Sequence, residues 1–350
     1  MAFPHRNIFT SRRVFLTSAF GAAVFSVVPK AFAQDWNVTK IDGRDYIPVE
    51  NLKQFYSFNG STREGNKVIL RRTDKTGKKS VEMRLQIGSQ ECLLNNVKLI
   101  FTHGVEAGGS LGLVSRLDLS KLIDPVLRPN FIPNAGNFTT VILDAGHGGK
   151  DPGATNPLGT EANYNLALAN RVKAQLEKIG FKVVLTRTSD RYYSLQERVD
   201  IANAVQGEAI FISLHFNSGG RDARGIETFT LSPPGVAHYG ADFKSSDALA
   251  RRGNEHDSAN VALAMAVHGS ILWRLGENTF DRGIKRARFS VLSGVRHPAI
   301  LFEGGFMSHG YEARLIANEK YQAALGAGIL DAIAKYRKAV TRGAPAKAEP

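Results

Sequence analysis

The sequence predicts a large α/β domain, in which helices flank both faces of a mainly parallel or mixed sheet, preceded by a small α+β domain. From residue 139 onward, short apolar strands alternate with helices, the pattern of strand–helix–strand units. Before residue 124, the segments are short, and 81–85 alternates in polarity as a half-buried strand does. The 350 residues are 43% apolar and 22% charged, which is typical of globular proteins and excludes a disordered chain or a coiled coil.

The front part, residues 34–123, is predicted to form short strands and one or two helices. Strands are expected at 44–49, 67–71 and 81–85, a helix at 49–55, and a glycine-rich loop at 104–112. This pattern loosely resembles the small α+β domain at the front of copper amine oxidases and many exported wall enzymes. The resemblance implies an accessory or docking domain and assigns it no chemistry.

Residues 124–137 contain Pro125, Pro129 and Pro133, and we predict a stiff, extended linker there. The second domain is then expected at 138–340, with a disordered tail at 341–350. Its predicted strands are 141–143, 181–185, 209–214, 225–231 and 299–302, and its predicted helices are 161–178, 195–205, 258–275 and 312–336.

The first 33 residues are predicted to be an export signal. Arg12 and Arg13 precede a 15-residue uncharged stretch, 14–28, and the small-x-small sequence 31–33 then provides a cleavage site. The paired arginines resemble a twin-arginine signal, and an ordinary secretory signal is the alternative. We therefore expect a periplasmic or otherwise extracytoplasmic protein.

The net charge of the chain indicates which classes of partner it can attract, and its single cysteine has a structural interpretation. The formal net charge is +13, and residues 1–33 contribute four of the basic residues and no acid, so the rest of the chain carries +9. A basic exported protein is attracted to polyanions, membrane surfaces or cell wall, whereas the scattered basic residues do not suggest nucleic-acid binding. No apolar run is long enough for a membrane span. The single cysteine, Cys92, is expected to be a buried apolar side chain.

Three polar residues follow predicted strands directly. His147 lies in a glycine-rich turn after 141–143, His215 ends the strand at 209–214, and Glu303 follows 299–302. If these strands are parallel neighbours, the three side chains meet at one edge of the sheet, where ligands bind in open α/β folds. The glycine-rich turn could instead hold a phosphate, but it lacks the spacing of known phosphate loops.

Glu161 opens the helix that follows His147, with Thr160 as its expected cap. By itself a carboxylate at this position only complements the helix dipole. With His147 and His215 it completes a set of two histidines and one glutamate, which is a known catalytic zinc set that leaves a position for water. We therefore expect one Zn²⁺ per chain.

Several segments together resemble the signature of zinc-dependent N-acetylmuramoyl-L-alanine amidases of the amidase type 3 family. They are LDAGHGGKDPGA at 143–154, GTE at 159–161, TR at 186–187, LQER at 195–198, SLHFNS at 213–218, DRGIK at 281–285 and EGGFMS at 303–308. The resemblance covers residues 139–336, and the motifs occur in the family's order.

The resemblance implies a function and a role for each matching residue. His147, Glu161 and His215 match the family's zinc ligands, and Glu303 matches its catalytic carboxylate. The implied substrate is peptidoglycan, cleaved at the amide bond between N-acetylmuramic acid and L-alanine of the stem peptide, in wall remodelling or daughter-cell separation.

The sequence leaves several alternatives open. Asp144 and Asn217 either orient the metal ligands or cap turns. The inserted segment 232–257 is either a gate over the zinc, which a protein activator opens, or a surface loop. The chain could also be a peptidoglycan-binding module without turnover, or another zinc hydrolase of the wall, a peptidase or deacetylase, although the HExxH pattern of common zinc peptidases is absent.

Overall fold

A computed structural model describes residues 36–77, 80–133 and 135–341. The predicted export signal lies outside the described residues. So does the predicted tail, except Thr341, which is helical. None of the helices in the described ranges combines the length and the apolar character needed to cross a bilayer.

The chain forms two compact units. Within the described residues, the first unit comprises 36–95 and 103–119, and the second comprises 96–102 and 120–341. The chain therefore passes into the second unit for seven residues before it returns. The final change of unit falls at 119/120, four residues before the predicted one.

The first unit contains two antiparallel sheets. Its elements are β1 (Thr39–Ile41), β2 (Arg44–Pro48), α1 (Val49–Phe55), β3 (Gly60–Glu64), β4 (Lys67–Thr73), β5 (Ser80–Gln86), β6 (Glu91–Leu94), β8 (Leu113–Ser115) and α2 (Arg116–Asp118). Strands β3 to β6 form a meander, and β1, β2 and β8 form a second sheet. The strands and helix predicted at 44–55, 67–71 and 81–85 are present, and Cys92 is buried as predicted.

The second unit is built on a mixed sheet. Its strands are β7 (Val97–Ile100), β9 (Thr140–Ala145), β12 (Lys182–Leu185), β13 (Ala209–Asn217), β14 (Ile226–Leu231), β15 (Asp281–Ala287) and β16 (Ala299–Phe306), and a small hairpin pairs β10 (Thr155–Asn156) with β11 (Gly159–Thr160). The order across the sheet is β12-β9-β13-β16-β14-β15-β7. Strands β12, β9, β13 and β16 are parallel, whereas β14 runs antiparallel to β16. The predicted mixed sheet is confirmed.

Helices cover both faces of this sheet. They are α3 (Asp124–Leu127), α4 (Glu161–Lys178), α5 (Leu195–Ala204), α6 (Asp257–Leu275), α7 (Ser290–Gly294), α8 (Gly310–Ile316) and α9 (Glu319–Thr341). Helices α4, α6 and α9 pack together on one face. On the other face, α5 and α7 close an apolar cluster with side chains of β9, β13, β14 and β16. The sheet thus buries apolar side chains on both faces, as its strand sequences require.

The prediction of an extended linker at 124–137 is wrong in its first half. Asp124–Leu127 is helical with Pro125 in its first turn, and Pro129–Phe131 forms a 3-10 turn that begins with its proline. A proline is well tolerated in the first turn of a helix, because its missing N–H has no partner to lose there. Arg128 stabilises this segment by donating to Asp124 Oδ1 at 2.6 Å.

The predicted helix at 312–336 is two helices, α8 and α9. They are separated by Ala317 and Asn318, and the Asn318 side chain accepts a hydrogen bond from the backbone of Lys320 at 2.8 Å. Asparagine commonly starts a helix in this way, and it interrupts an apolar periodicity that otherwise continues.

Candidate metal centre

The carboxyl ends of three neighbouring parallel strands carry the residues that the sequence singled out. His215 pairs in register with Glu303 across β13 and β16, and Leu214 pairs with Ala145, the last residue of β9. His147 follows β9 by two residues. Parallel neighbours lie about 4.8 Å apart, so the strands alone bring these side chains to one edge of the sheet.

Glu161 reaches this edge from the first turn of α4. The Thr160 hydroxyl caps the helix by accepting from the Asn163 backbone at 3.3 Å. Glu161 is only 5% exposed, and its Oε2 accepts from the Ala154 backbone at 2.9 Å. The carboxylate is therefore fixed between the helix and the loop that follows His147.

The three predicted ligands form one cluster. Glu161 Oε1 lies 3.2 Å from His147 Nε2 and 2.9 Å from His215 Nδ1. One donor atom from each of the three residues lies within 4.8 Å of the others, and no further histidine, cysteine, aspartate or glutamate in the described ranges belongs to the group. The structure thus brings together the three residues that sequence reasoning selected.

These residues fit a metal ion. Zinc–nitrogen and zinc–oxygen bonds of about 2.0–2.2 Å in tetrahedral geometry separate donor atoms by about 3.4 Å, close to the two distances between the histidine nitrogens and Glu161. Two imidazoles and one carboxylate are also a common donor set for catalytic zinc. The group can therefore hold one divalent ion and leave a coordination position open.

Electrostatics in the cluster favour an ionised carboxylate. Burial alone would raise the pKa of Glu161, but the hydrogen bonds and positive charges of His147 and His215 outweigh it and hold that pKa far below its usual range. Burial lowers the pKa of His147, and the acceptors Glu161 and Asp151 reverse the effect, so the net shift is upward. A cation is therefore favoured between these side chains, whether it is a proton or a metal.

Asp151 orients His147. Its Oδ2 accepts from His147 Nδ1 at 2.8 Å, which leaves Nε2 directed at Glu161. A carboxylate behind a ligating histidine fixes the ring and increases its basicity. The sequence analysis gave Asp151 no role. The available signal was its position four residues after His147 in a glycine-rich loop.

Close approach explains two glycines around the cluster. A Cβ at Gly146 would lie 2.2 Å from the His215 ring, and a Cβ at Gly153 would lie 2.6 Å from Glu161 Oε2. His147 itself adopts a left-handed conformation with φ of 60°, which is uncommon outside glycine. The turn after β9 is thus shaped around the imidazoles, and its sequence does not match a phosphate loop.

Two buried arginines hold the backbone of this turn. Arg187 donates to the carbonyls of Ala145 and Gly146 at 2.8 and 2.9 Å. Arg198 donates to the carbonyls of Ala145 and His147, at 2.8 and 2.6 Å. The two guanidinium groups therefore satisfy backbone carbonyls at and just after the end of β9.

Asp144 does not contact the predicted ligands. Its carboxylate accepts from Thr186, Arg198 and Ser213 at 2.6 to 2.8 Å. It therefore acts on His147 only through Arg198, which binds the His147 carbonyl.

Asn217 does not contact the predicted ligands either. Its side-chain amide donates to Glu227 Oε1 at 2.5 Å. Glu227 is opposite Glu303 in the antiparallel pair of β14 and β16, and it also accepts from Arg282 and Lys285. This second carboxylate was missed, because sequence alone does not reveal that β14 lies beside β16.

Glu303 lies beside the cluster as an unsatisfied acid. Its Oε2 atom is buried and has no hydrogen-bond partner among the described residues. Burial, and then the carboxylates of Glu161 and Glu227, raise its pKa well above the usual range. A buried carboxyl group without a partner is costly unless it is protonated or faces a ligand.

The inserted segment 232–257 is anchored at the opposite edge of the sheet. Because β14 runs antiparallel to β16, its end at Leu231 lies near the start of β16. Arg288 there binds the carbonyls of Pro233 and Val236, and His256 binds that of Arg296.

No described residue of this segment joins the metal-ligand group, although the Tyr239 ring lies 4.8 Å from Lys285 Nζ. Other residues of the segment, together with residues around Arg288, line a cavity of about 680 Å³. The structure favours the surface loop over the gate.

Comparison with known proteins identifies similar chains. A family model described as N-acetylmuramoyl-L-alanine amidase (Amidase_3) matches residues 141–335. The chain is 32% identical over 197 residues to the uncharacterized protein YqiI of Bacillus subtilis, covering 56% of this chain and 84% of that one. It is 27% identical over 267 residues to N-acetylmuramoyl-L-alanine amidase AmiC of Neisseria meningitidis, covering 68% and 64%. The match to LytC of Bacillus subtilis spans 35% of that protein.

Solved structures of similar chains cover a little over half of this chain. The catalytic domain of CwlV from Bacillus (Paenibacillus) polymyxa is 29% identical and covers 58% of this chain and 99% of that one, with a TM-score of 0.47. AmiC2 of Nostoc punctiforme is 32% identical and covers 57% and 97%, also with a TM-score of 0.47.

Proposed function

Because the chain belongs to the N-acetylmuramoyl-L-alanine amidase family, we propose that it hydrolyses peptidoglycan at the amide bond between N-acetylmuramic acid and L-alanine, using one zinc ion. The observation that carries this proposal is the group of His147, Glu161 and His215 with Glu303 beside it. Because the chain spans less than two thirds of AmiC and LytC, the whole-protein activity of those relatives comes to it only as part of this proposal.

The three ligands would hold the ion at the edge of the sheet. His147 Nε2, His215 Nδ1 and a Glu161 oxygen already face one another, and Asp151 keeps the His147 ring in place. When bound, zinc supplies a Lewis acid for the amide carbonyl and lowers the pKa of a coordinated water from about 15.7 towards about 7.

Glu303 moves protons in this proposal. It accepts a proton from the attacking water and then donates one to the amine of L-alanine as the amide bond breaks. Its environment supports the role, because Oε2 has no competing partner among the described residues and the raised pKa makes its carboxyl group a ready proton acceptor and donor. Beside a bound divalent ion, the Glu303 carboxylate would remain available as a base, because a nearby positive charge lowers the pKa of a carboxyl group.

Export and activation complete the proposal. We propose that residues 1–33 direct the chain to the periplasm or another extracytoplasmic site by the twin-arginine route. A protein activator remains part of the proposal, but it would act through a part of the chain other than 232–257, which is anchored away from the ligands.

Glu303→Gln tests the proposed role directly. The variant should bind zinc at the wild-type stoichiometry and lose about 10²–10⁴-fold in turnover, the usual contribution of a general acid–base group. The measurement is the rate of release of free stem peptides from purified sacculi by mass spectrometry, with and without a chelator. Wild-type turnover by Glu303→Gln would exclude the role.

The products also separate the alternative functions. Shorter peptides indicate a peptidase, loss of acetyl groups indicates a deacetylase, and retention on sacculi without products indicates a binding module. His147→Ala is the companion variant and should lose the metal itself.

A further inference from the structure

A partly free guanidinium lies on the same sheet as the candidate metal centre, one strand beyond Glu227. The register of β14 and β15 shifts between Ile226 and Thr228, so Glu227 faces a bulge that contains Arg282 and Gly283. Gly283 has φ of +89°, and a Cβ there would lie 3.1 Å from the Lys98 side chain. Bulges re-aim side chains, and here the bulge places Arg282 over Glu227.

Two contacts fix the Arg282 side chain and leave its end open. Nε donates to Glu227 Oε2 at 3.0 Å, and the guanidinium carbon lies 4.7 Å from the Phe306 ring centre. The two terminal Nη groups have no hydrogen-bond acceptor among the described residues, and the side chain is 31% exposed. An arginine fixed through Nε and a ring presents its remaining donors as a preorganised fork.

The local charges leave this fork with an unmatched positive charge. Glu227 is buried, and Lys285 Nζ already forms an ion pair with its Oε2. Asn217 occupies the other oxygen of Glu227. One carboxylate thus faces two cations, so the cluster of Glu227, Lys285 and Arg282 carries a net charge of about +1. A planar fork with excess positive charge matches a carboxylate in a bidentate arrangement.

The distance from Glu303 to the Arg282 guanidinium is similar to the distance from the scissile amide bond to the second residue of the stem peptide. Glu227 and Glu303 are opposite each other on adjacent strands, and Arg282 is on the strand beyond Glu227. Two strand spacings are about 9.6 Å. An extended chain covers about 3.3–3.6 Å per residue, so a group on the residue after L-alanine is about 7 Å from the scissile bond before side chains are counted.

We propose that Arg282 binds a free carboxylate on the second residue of the stem peptide, and so makes the enzyme selective for an acidic peptide over its amidated form. This inference rests on the proposed amidase function and adds a specificity residue to it. Arg282 touches no reacting atom, so its contribution is to substrate binding.

The test compares two synthetic peptidoglycan fragments that differ at one group. Both carry an L-alanyl-D-glutamate stem, with the α-carboxylate free in one and amidated in the other. The zinc-loaded wild-type protein should favour the free carboxylate by about tenfold in kcat/KM, mostly through KM, which is the effect of one charge-assisted hydrogen bond. Arg282→Gln should remove this preference, so that the variant cleaves the two fragments with kcat/KM values within about twofold of each other.

Arg337→Gln is the matched control. Arg337 also lies over a phenylalanine ring, 4.5 Å from the centre of Phe181, but at the other end of the parallel strands. The control should retain the wild-type preference.

Each other outcome overturns the inference in a recognisable way. Equal rates of the wild type on the two fragments would show that no carboxylate is recognised. An equal loss on both fragments in Arg282→Gln would show that Arg282 only supports Glu227. If the wild type releases peptide from neither fragment nor sacculi, the proposed function itself fails, and the specificity fails with it.

Discussion

At the scale of single residues, Asp151 is not one of the proposed metal ligands, but it controls the orientation of the ligand His147. Its hydrogen bond to His147 Nδ1 selects the imidazole nitrogen that faces Glu161. Because an unsupported imidazole can rotate and change tautomer, this contact determines how much of the binding energy of a metal is lost to ordering the ligand.

Asp151→Asn should therefore weaken zinc binding by about 10–100-fold, as expected when the partner behind a ligating histidine is changed. The measurement is a competition titration against a chelator of known affinity. Asp190→Asn is the control, because Asp190 accepts from the Gly149 backbone in the same loop at 2.8 Å and is not part of the metal-ligand group. Equal zinc affinity in the two variants would show that Asp151 does not orient the ligand.

At the scale of secondary-structure elements, the end of β9 depends on a buried ion pair. Asp144 is 1% exposed, and its carboxylate lies 2.8 Å from Arg198 Nη1. Arg198 comes from α5 and also binds the carbonyls of Ala145 and His147, so the pair connects strand, helix and turn. Removal of one partner leaves the other as an uncompensated buried charge.

Asp144→Asn should lower the free energy of unfolding by about 3–5 kcal/mol at neutral pH. Burial would raise the pKa of Asp144, but Arg198 and the hydroxyl donors outweigh it and lower that pKa in the folded state. A depressed pKa adds stability above the unfolded value of about 3.9, and this stability is lost as the pH falls further, through the folded-state pKa. The difference between wild type and variant should therefore shrink below about pH 4, as measured by denaturant unfolding.

The control for this stability measurement is Asp331→Asn. Asp331 pairs with Arg274 on the surface, where both side chains are about one third exposed, so its loss should cost less than about 1 kcal/mol. A similar decrease in the free energy of unfolding for the two variants would contradict the claim that the buried pair of Asp144 and Arg198 contributes more than a surface pair.

The inserted segment allows a second test at this scale. Replacement of residues 241–246 by a Gly-Ser linker keeps Tyr239 and the pair of Asp247 with Arg288. Because the segment is anchored away from the metal ligands, basal release of stem peptides should stay within about twofold of the wild-type rate. A large increase in this rate would show that the segment gates the active site, which the structure does not favour.

At the scale of the whole molecule, the sequence predicts the second unit well where its patterns are local. The strand ends at His147, His215 and Glu303, and the helix start at Glu161, follow from apolar runs and a cap, and one parallel arrangement then brings them together. The family resemblance points to the same residues.

Other features depend on strand order and on local backbone detail that the sequence does not display. The network of Glu227 requires β14 to lie antiparallel beside β16 and a bulge to face it. Periodicity also could not separate α8 from α9, because the apolar spacing continues across the Asn318 cap. The prolines at 125 and 129 indicated an extended linker, although a first helical turn accepts proline equally well.

The central claim is that two imidazoles and one carboxylate bind a single zinc ion, and anomalous diffraction at the zinc absorption edge tests it most directly. Crystals of the zinc-loaded protein should give one strong anomalous peak, within about 2.0–2.2 Å of His147, Glu161 and His215, with a fourth coordination position open to solvent. A zinc peak elsewhere, or side chains that turn away from one another around an empty centre, would contradict the account.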